Sequence, residues 1–256
     1  MNRKWNLVIF IVFILALSVA ADSSWEKVKQ SGVLRVGVDD TYPPSVFRDE
    51  KNNIVGFDVD IAREVGKRLG LKVEFVPVDW NGVILALNAN KYDMICSALS
   101  VSEERAKAIL FSPSYLNVGQ VIVISNKTKN VKSQKDLEGK TIGTQLGSTS
   151  EEAANALPFK KNIRTYQKFT EVFMDLGIGR LDAGIVDEFV ARYYVAKDPS
   201  RFIFVESLLT EPIAIGYRKN DFALAEVINK TLEDMKKDGT MGMISQNWLG
   251  ADIIVK

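Results

Sequence analysis

Nine residues at 97–105, Ser-Ala-Leu-Ser-Val-Ser-Glu-Glu-Arg, have the types and spacing of an anion site. They follow a short apolar run at 93–96 and lead into a helix that Ser102 is placed to cap. Backbone N–H groups, hydroxyls and a guanidinium therefore meet where a strand ends. Arg105 presents a rigid fork that matches the two oxygens of a carboxylate, and Ser97 and Ser100 can hydrogen-bond to whatever lies beside it. An ordinary capped helix with a surface arginine fits the same stretch. Glu103 and Glu104 are helix-dipole partners in either case, and they repel a bound anion unless they face solvent.

Three further places carry chemistry. Residues 143–149 form a glycine turn feeding a helix, without the lysine and spacing of a phosphate loop; what remains is a second set of N–H groups able to face an anion. Asp187, between a strand and a helix, is either an N-cap or a counter-charge for an ammonium, and the two roles are compatible. Tyr42 and Trp80 each follow a strand end and can flank a ligand, although an aromatic is by default core. Asp39 reads equally well as a turn former with Asp40 and Thr41.

Composition narrows the function classes. The 256 residues are 46% apolar and 25% charged, which points to neither disorder nor a multi-span membrane protein. Net charge is +1, and without Arg3 and Lys4 the remainder carries −1, so the electrostatic footprint of a nucleic-acid binder is missing. Histidine is absent and Cys96 is the single cysteine, so no metal centre, cofactor or intrachain disulfide is expected. Cys96 sits in an apolar run and reads as core. Arg3 and Lys4, an unbroken apolar stretch at 7–17 and small residues at 18–21 form an export signal, too short to span a bilayer, which needs ~20 apolar residues. Cleavage after Ala20 or Ala21 is expected, and no cysteine stands there to take a lipid.

The elements that position these residues alternate. Ser23 and Glu26 form a capping-box pair for a short helix ending at Gly32. Strands are expected at 33–38, 73–78 and 93–96, with helices from 57 to Gly70 and over 83–88. After a strand at 119–125 the alternation starts afresh: strands at 141–144, 163–166 and 183–186, helices over 151–156, 170–178 and 188–196. Strands at 202–205 and 213–217 and helices over 223–237 and to about Trp248 close the chain. Such alternation implies parallel sheets with right-handed crossovers and ligands beyond the strands' carboxyl ends. Two sets of units suggest two lobes.

The motifs Asp-Asp-Thr-Tyr-Pro-Pro at 39–44, Val-Gly-Phe-Asp-Val-Asp-Ile-Ala at 55–62, the 97–105 stretch, Gln-Leu-Gly-Ser-Thr at 145–149 and Gly-Arg-Leu-Asp-Ala at 179–183 followed by Asp187 together resemble the periplasmic polar amino acid binding proteins of ABC importers. The resemblance runs from Val33 to Trp248. It implies an α/β, two-lobe periplasmic binding protein fold (type II) with two crossover strands: lobe 1 at 22–117 and 213–256, lobe 2 at 118–212. By position it implies that Arg105 clamps the ligand carboxylate with N–H groups of Ser100 and Thr149, next to Ser97 and Ser148. Asp187, the Ser100 hydroxyl and the Ala98 carbonyl then hold the α-ammonium, Tyr42 and Trp80 sandwich the side chain, and Asp39 and Gln145 stand near its tip. It also implies a monomer in the periplasm that delivers its ligand to an ABC permease of the inner membrane. Counting Arg105 against Asp187 and Asp39 leaves the site net negative, which selects a basic amino acid, arginine first, then lysine or histidine, with glutamine the main alternative. The resemblance extends to cyclohexadienyl dehydratases, the alternative from the enzymes. The turn Ser45-Val46-Phe47 departs from the family pattern.

Overall fold

A computed structural model describes residues 22–255, and the export leader expected at 1–21 lies outside them. The chain opens with helix α1 (Ser24–Ser31), strand β1 (Val33–Val38) and a small antiparallel sheet of β2 (Thr41–Tyr42), β3 (Val46–Arg48) and β4 (Ile54–Val55). Helix α2 (Phe57–Leu69), β5 (Lys72–Pro77), α3 (Val83–Asn88), β6 (Met94–Ser100), α4 (Glu103–Ala108) and β7 (Ile109–Phe111) follow. Both β5 and β6 pair in parallel with β1, Val36 facing Phe75 on one side and Met94 on the other. Gly32 and Gly70, left-handed, end α1 and α2.

The second lobe repeats the design with β8 (Leu116–Ser125), β9 (Thr141–Gln145), α5 (Thr149–Ala156), β10 (Asn162–Tyr166), α6 (Phe169–Ile178), β11 (Ala183–Asp187) and α7 (Glu188–Lys197). Here β9 is the parallel partner of both β10 and β11. Strand β12 (Phe202–Arg218) then returns the chain to the first lobe, where α8 (Phe222–Lys237) and α9 (Thr240–Leu249) pack. One sheet path, β10-β9-β11-β8-β12-β6-β1-β5, runs through both lobes, with β8 and β12 as the antiparallel crossover pair.

Three sequence expectations are corrected. The segment at 202–217 is one strand; two register shifts along its pairing with β8 absorb the break in alternation around 205–208 that made it read as two. Strand β6 does not stop at Cys96 but carries Ser97 to Ser100 within it, because Leu99 and Ser100 pair with Ala214 and Ile213 of β12. At the start of α1 the Ser23 side chain caps nothing, and Asp22 accepts from the Ser24 amide instead at 2.8 Å. Cys96 is core, fully buried, with burial pushing its thiol well above the ordinary range.

The crossover pair is tight at Gly119, where an added Cβ would lie 1.8 Å from the Leu209 carbonyl oxygen. Backbone approach of this kind admits only glycine. Gly119→Ala is expected to lower the stability of the chain by about 3 kcal/mol, measured as the shift of a urea unfolding midpoint. A midpoint like that of the native sequence would show that the two strands separate freely here.

Candidate functional site

The parallel strands bring the expected residues to one edge. Asp39 follows β1, Trp80 follows β5, Ser100 ends β6, Gln145 ends β9 and Asp187 ends β11, so both lobes aim their strands' carboxyl ends at the same cleft. Ser102 caps α4 by accepting from the Arg105 amide at 3.3 Å, which turns the Arg105 side chain inward. Glu103 and Glu104 are exposed, so they leave the site to the arginine.

Arg105 is only 7% exposed and donates to two carbonyls, Ser100 at 2.9 Å and Gly147 of the other lobe at 3.3 Å. Its guanidinium carbon lies 5.4 Å from the centre of the Trp80 ring, a cation–π contact. Burial pulls its pKa down, opposed by Glu152 and Glu211. Asp187 caps α7 by accepting from the Phe189 amide at 2.9 Å, so the capping role holds. At 4% exposure, burial pushes its carboxyl up to about 7, against the pull of the Tyr42 hydroxyl and the Phe189 amide. Among the described residues neither group forms an ion pair: a cation in one lobe and an acid in the other stand buried without a charged partner.

The lobes touch through site residues. Gln145 Nε2 donates to Asp39 at 2.8 Å, Thr149 Oγ1 and Ser100 Oγ share a hydrogen bond at 3.3 Å, and the Tyr42 and Phe169 rings meet edge-on at 5.9 Å. The cavity left between them is about 20 Å³, room for little more than a water. A space of that size does not hold an amino acid. Its lining includes Tyr42, Trp80, Ala98, Ser100, Arg105, Gln145, Ser148, Thr149 and Asp187. Asp39 and Ser97 do not line it. Asp39 is buried, but its oxygens take the Thr41 amide and hydroxyl at 3.0 and 2.6 Å besides Gln145, and Ser97 Oγ accepts the Asp39 amide at 3.1 Å. The Ser148 hydroxyl is occupied as the cap of α5, donating to the Gln145 carbonyl and accepting from the Glu151 amide. Roomier hollows of about 910 and 900 Å³ lie elsewhere, so convergent charge and not volume marks the site.

Sequence reasoning missed four residues. Gln120, Ser150 and Phe169 line the cavity. Gln120 donates to Thr149 Oγ1 at 3.0 Å and to Glu211 at 2.9 Å, and accepts from Ser150 Oγ. Glu211, half-buried on β12, also accepts from Thr149 Oγ1 at 2.7 Å. A lone amide inside the β-branched run of β8 was the available signal for Gln120; Glu211 lay in a segment read as a connection.

Two lobes on a crossover pair, with opposite charges facing across the cleft, define a solute-binding protein of the type II periplasmic architecture. Residues 34–251 match the family described as bacterial extracellular solute-binding proteins, family 3, and the chain belongs to that family. It is 32% identical over 238 residues to the L-cystine-binding protein TcyJ of Escherichia coli (strain K12), covering 92% of this chain and 90% of that one. An ancestral arginine-binding protein, solved with arginine, is 42% identical with a TM-score of 0.79 over 85% of this chain and 98% of its own; it is also known with glutamine bound. The ancestral amino acid-binding protein AncCDT-1, a precursor of cyclohexadienyl dehydratase, is 38% identical with a TM-score of 0.84 over 88% and 99%. By family, then, this is an amino acid-binding protein of the ABC-transporter type.

The raised carboxyl of Asp187 has a stability consequence. Between its ordinary value near 3.8 and about 7, the folded chain holds a proton there that the unfolded chain has lost. This group's contribution therefore falls as pH rises through that window. Burial raises the Asp39 and Asp58 carboxyls in the same direction. Ligand-free protein is expected to lose roughly 2 kcal/mol or more from Asp187 between pH 5 and pH 8, and Asp187→Asn, which keeps the cap, to lose that part of the slope. Urea midpoints at the two pH values check it; identical slopes in both proteins would mean that Asp187 is ionised throughout.

Proposed function

We propose that this protein captures a basic amino acid, arginine first and lysine or histidine after it, by lobe closure and delivers it to an ABC permease. The observation that carries the reading is the pair Arg105 and Asp187, buried on opposite lobes around one cavity. A carboxylate on Arg105 and an α-ammonium on Asp187 give each its missing counter-ion, and water exclusion strengthens both pairs. Ser100 and Thr149 flank the carboxylate, Ala98 the ammonium, and Tyr42 with Trp80 the side chain. Acid outweighs base around the cleft: Asp39, Asp187 and half-buried Glu211 against Arg105. A third charge on the ligand offsets that excess, and an ancestral relative is solved with arginine.

A second reading has its own observation. Asp39 is turned away from the cavity and tied to Gln145, so a neutral side chain such as glutamine leaves that bond undisturbed. We infer further that the protein is a receptor and not an enzyme, because a group that pairs with an α-ammonium, as Asp187 can, is what an amino acid receptor needs; turnover of prephenate to phenylpyruvate would sink this. Export through the 1–21 leader, a periplasmic monomer and lobes at 22–117 with 213–256 and at 118–212 complete the proposal.

A thermal-shift screen of the common amino acids, followed by calorimetry, tests it. Arginine is expected to stabilise most, and Arg105→Ala to remove binding of every amino acid, a loss of ~2–5 kcal/mol for a stranded buried charge. Asp39→Asn should cost arginine ~2 kcal/mol and glutamine much less. Equal losses, or a native protein that prefers glutamine, overturn the basic assignment. Because the ammonium needs Asp187 ionised, binding near neutral pH releases a proton and weakens as pH falls below about 7. Calorimetry in two buffers of different ionisation enthalpy reads that proton directly.

A further inference from the structure

Under the floor of the cleft lies a carboxylate that the site does not contain. Asp58, the second residue of α2, is fully buried and among the described residues has no cationic partner. It accepts from the Ala98 amide, from Ser45 Oγ at 2.8 Å and from the Tyr115 hydroxyl at 2.8 Å. A buried carboxylate is costly unless several donors serve it, and three do. Its place is set from below: Gly56, at φ 138°, lets α2 start against the 44–45 turn, whose carbonyls accept the Phe57 and Asp58 amides at 3.0 Å each. An added Cβ on Gly56 would lie 2.2 Å from the Ser45 carbonyl oxygen.

What Asp58 holds is irregular. Ala98 has φ 48°, left-handed backbone that a residue with a Cβ resists. It also belongs to a bulge, since Leu99 pairs with Ala214 and Ile95 with Gly216, leaving residues 96–98 opposite Ile215 alone. Ala98 and Ser100 line the cavity with Arg105 and Asp187. Left to its own preference, β6 would straighten and turn that edge.

We propose that Asp58 is a positioning residue of the amino acid site: by accepting from the Ala98 amide it pins the bulge of β6, so that the backbone of Ala98 to Ser100 faces the ligand's ammonium and carboxylate. This rests on the receptor reading above. Ser45 and Tyr115 share the carboxylate but do not touch the bulge through it, and Ala98 itself reports the strain. The pin therefore predicts a specific rescue. Glycine at 98 adopts left-handed backbone freely, so it needs the pin less.

The experiment measures affinity by calorimetry, for the amino acid that most stabilises the native protein, together with the ligand-free melting temperature. Asp58→Asn is expected to weaken binding by about 30-fold, the loss of one charge-assisted hydrogen bond. Asp58→Asn combined with Ala98→Gly should recover about 5-fold or more of that loss, since contacting residues couple. Ser45→Ala and Tyr115→Phe should each change affinity by less than about 3-fold while lowering the melting temperature. Affinity unchanged in Asp58→Asn, or no recovery in the double variant, overturns the proposal, because a purely structural acid loses melting temperature alone. If Asp58→Asn does not fold, hydrogen exchange on the native protein decides: the Ala98 amide should be among the slowest, and exchange at the rate of loop amides overturns the pin. If no amino acid stabilises the native protein, the receptor reading has failed, and the same exchange measurement judges Asp58 separately.

Discussion

Two buried groups of opposite charge, on facing lobes and among the described residues without an ion-pair partner, set the terms for everything else in this chain. Burying Arg105 and Asp187 is costly in free energy, and backbone carbonyls, a helix cap and an aromatic face recover only part of it. The remainder is available to any molecule that carries the complementary pair at the right separation. In the proposed function, specificity for the head of an amino acid and closure of the lobes are therefore one event, since each lobe supplies one pole and the ligand joins them.

Holding these poles falls to rigid parts. Arg105, Thr149, Ser100, Gln145 and Asp187 sit at the end of a central strand or in the first turn of a helix. The bulge and left-handed Ala98 of β6 border the cleft, and the register shifts of β12 lie along its pairing with β8. Around the hinge, Glu211 and Gln120 bind Thr149, whose hydroxyl reaches Ser100 in the other lobe. A crossover strand is in this way connected by hydrogen bonds to both walls of the cleft.

Much of this was legible in the sequence, and for identifiable reasons. Periodicity located the helices and most strands because each buries one face, and glycines at 32 and 70 marked helix ends through backbone geometry alone. Arg105, Asp187, Gln145 and Thr149 were legible because they follow strand ends, where chain order already fixes place. Glu211 was not, since its role comes from contacts with Gln120 and Thr149, 91 and 62 residues away in sequence, and nothing local distinguishes it from a turn acid. Asp39 was half legible: its position beside the cleft was correct, but its orientation depends on Thr41 and on Gln145, a residue of the other lobe. The bulge at Ala98 left no trace in an unremarkable alanine.

The course of β12 also bears on how the chain matures. Strand β6, which carries Ala98 and Ser100, has β1 on one side, and on the other only the far half of β12, at 213–217. A polypeptide emerging from its amino end completes the second lobe while this edge of the first is still bare, for more than a hundred residues of further chain. Recognition is thus among the last properties the molecule acquires. The backbone of Ala98 and Ser100 lacks its second sheet neighbour until that late strand is in place.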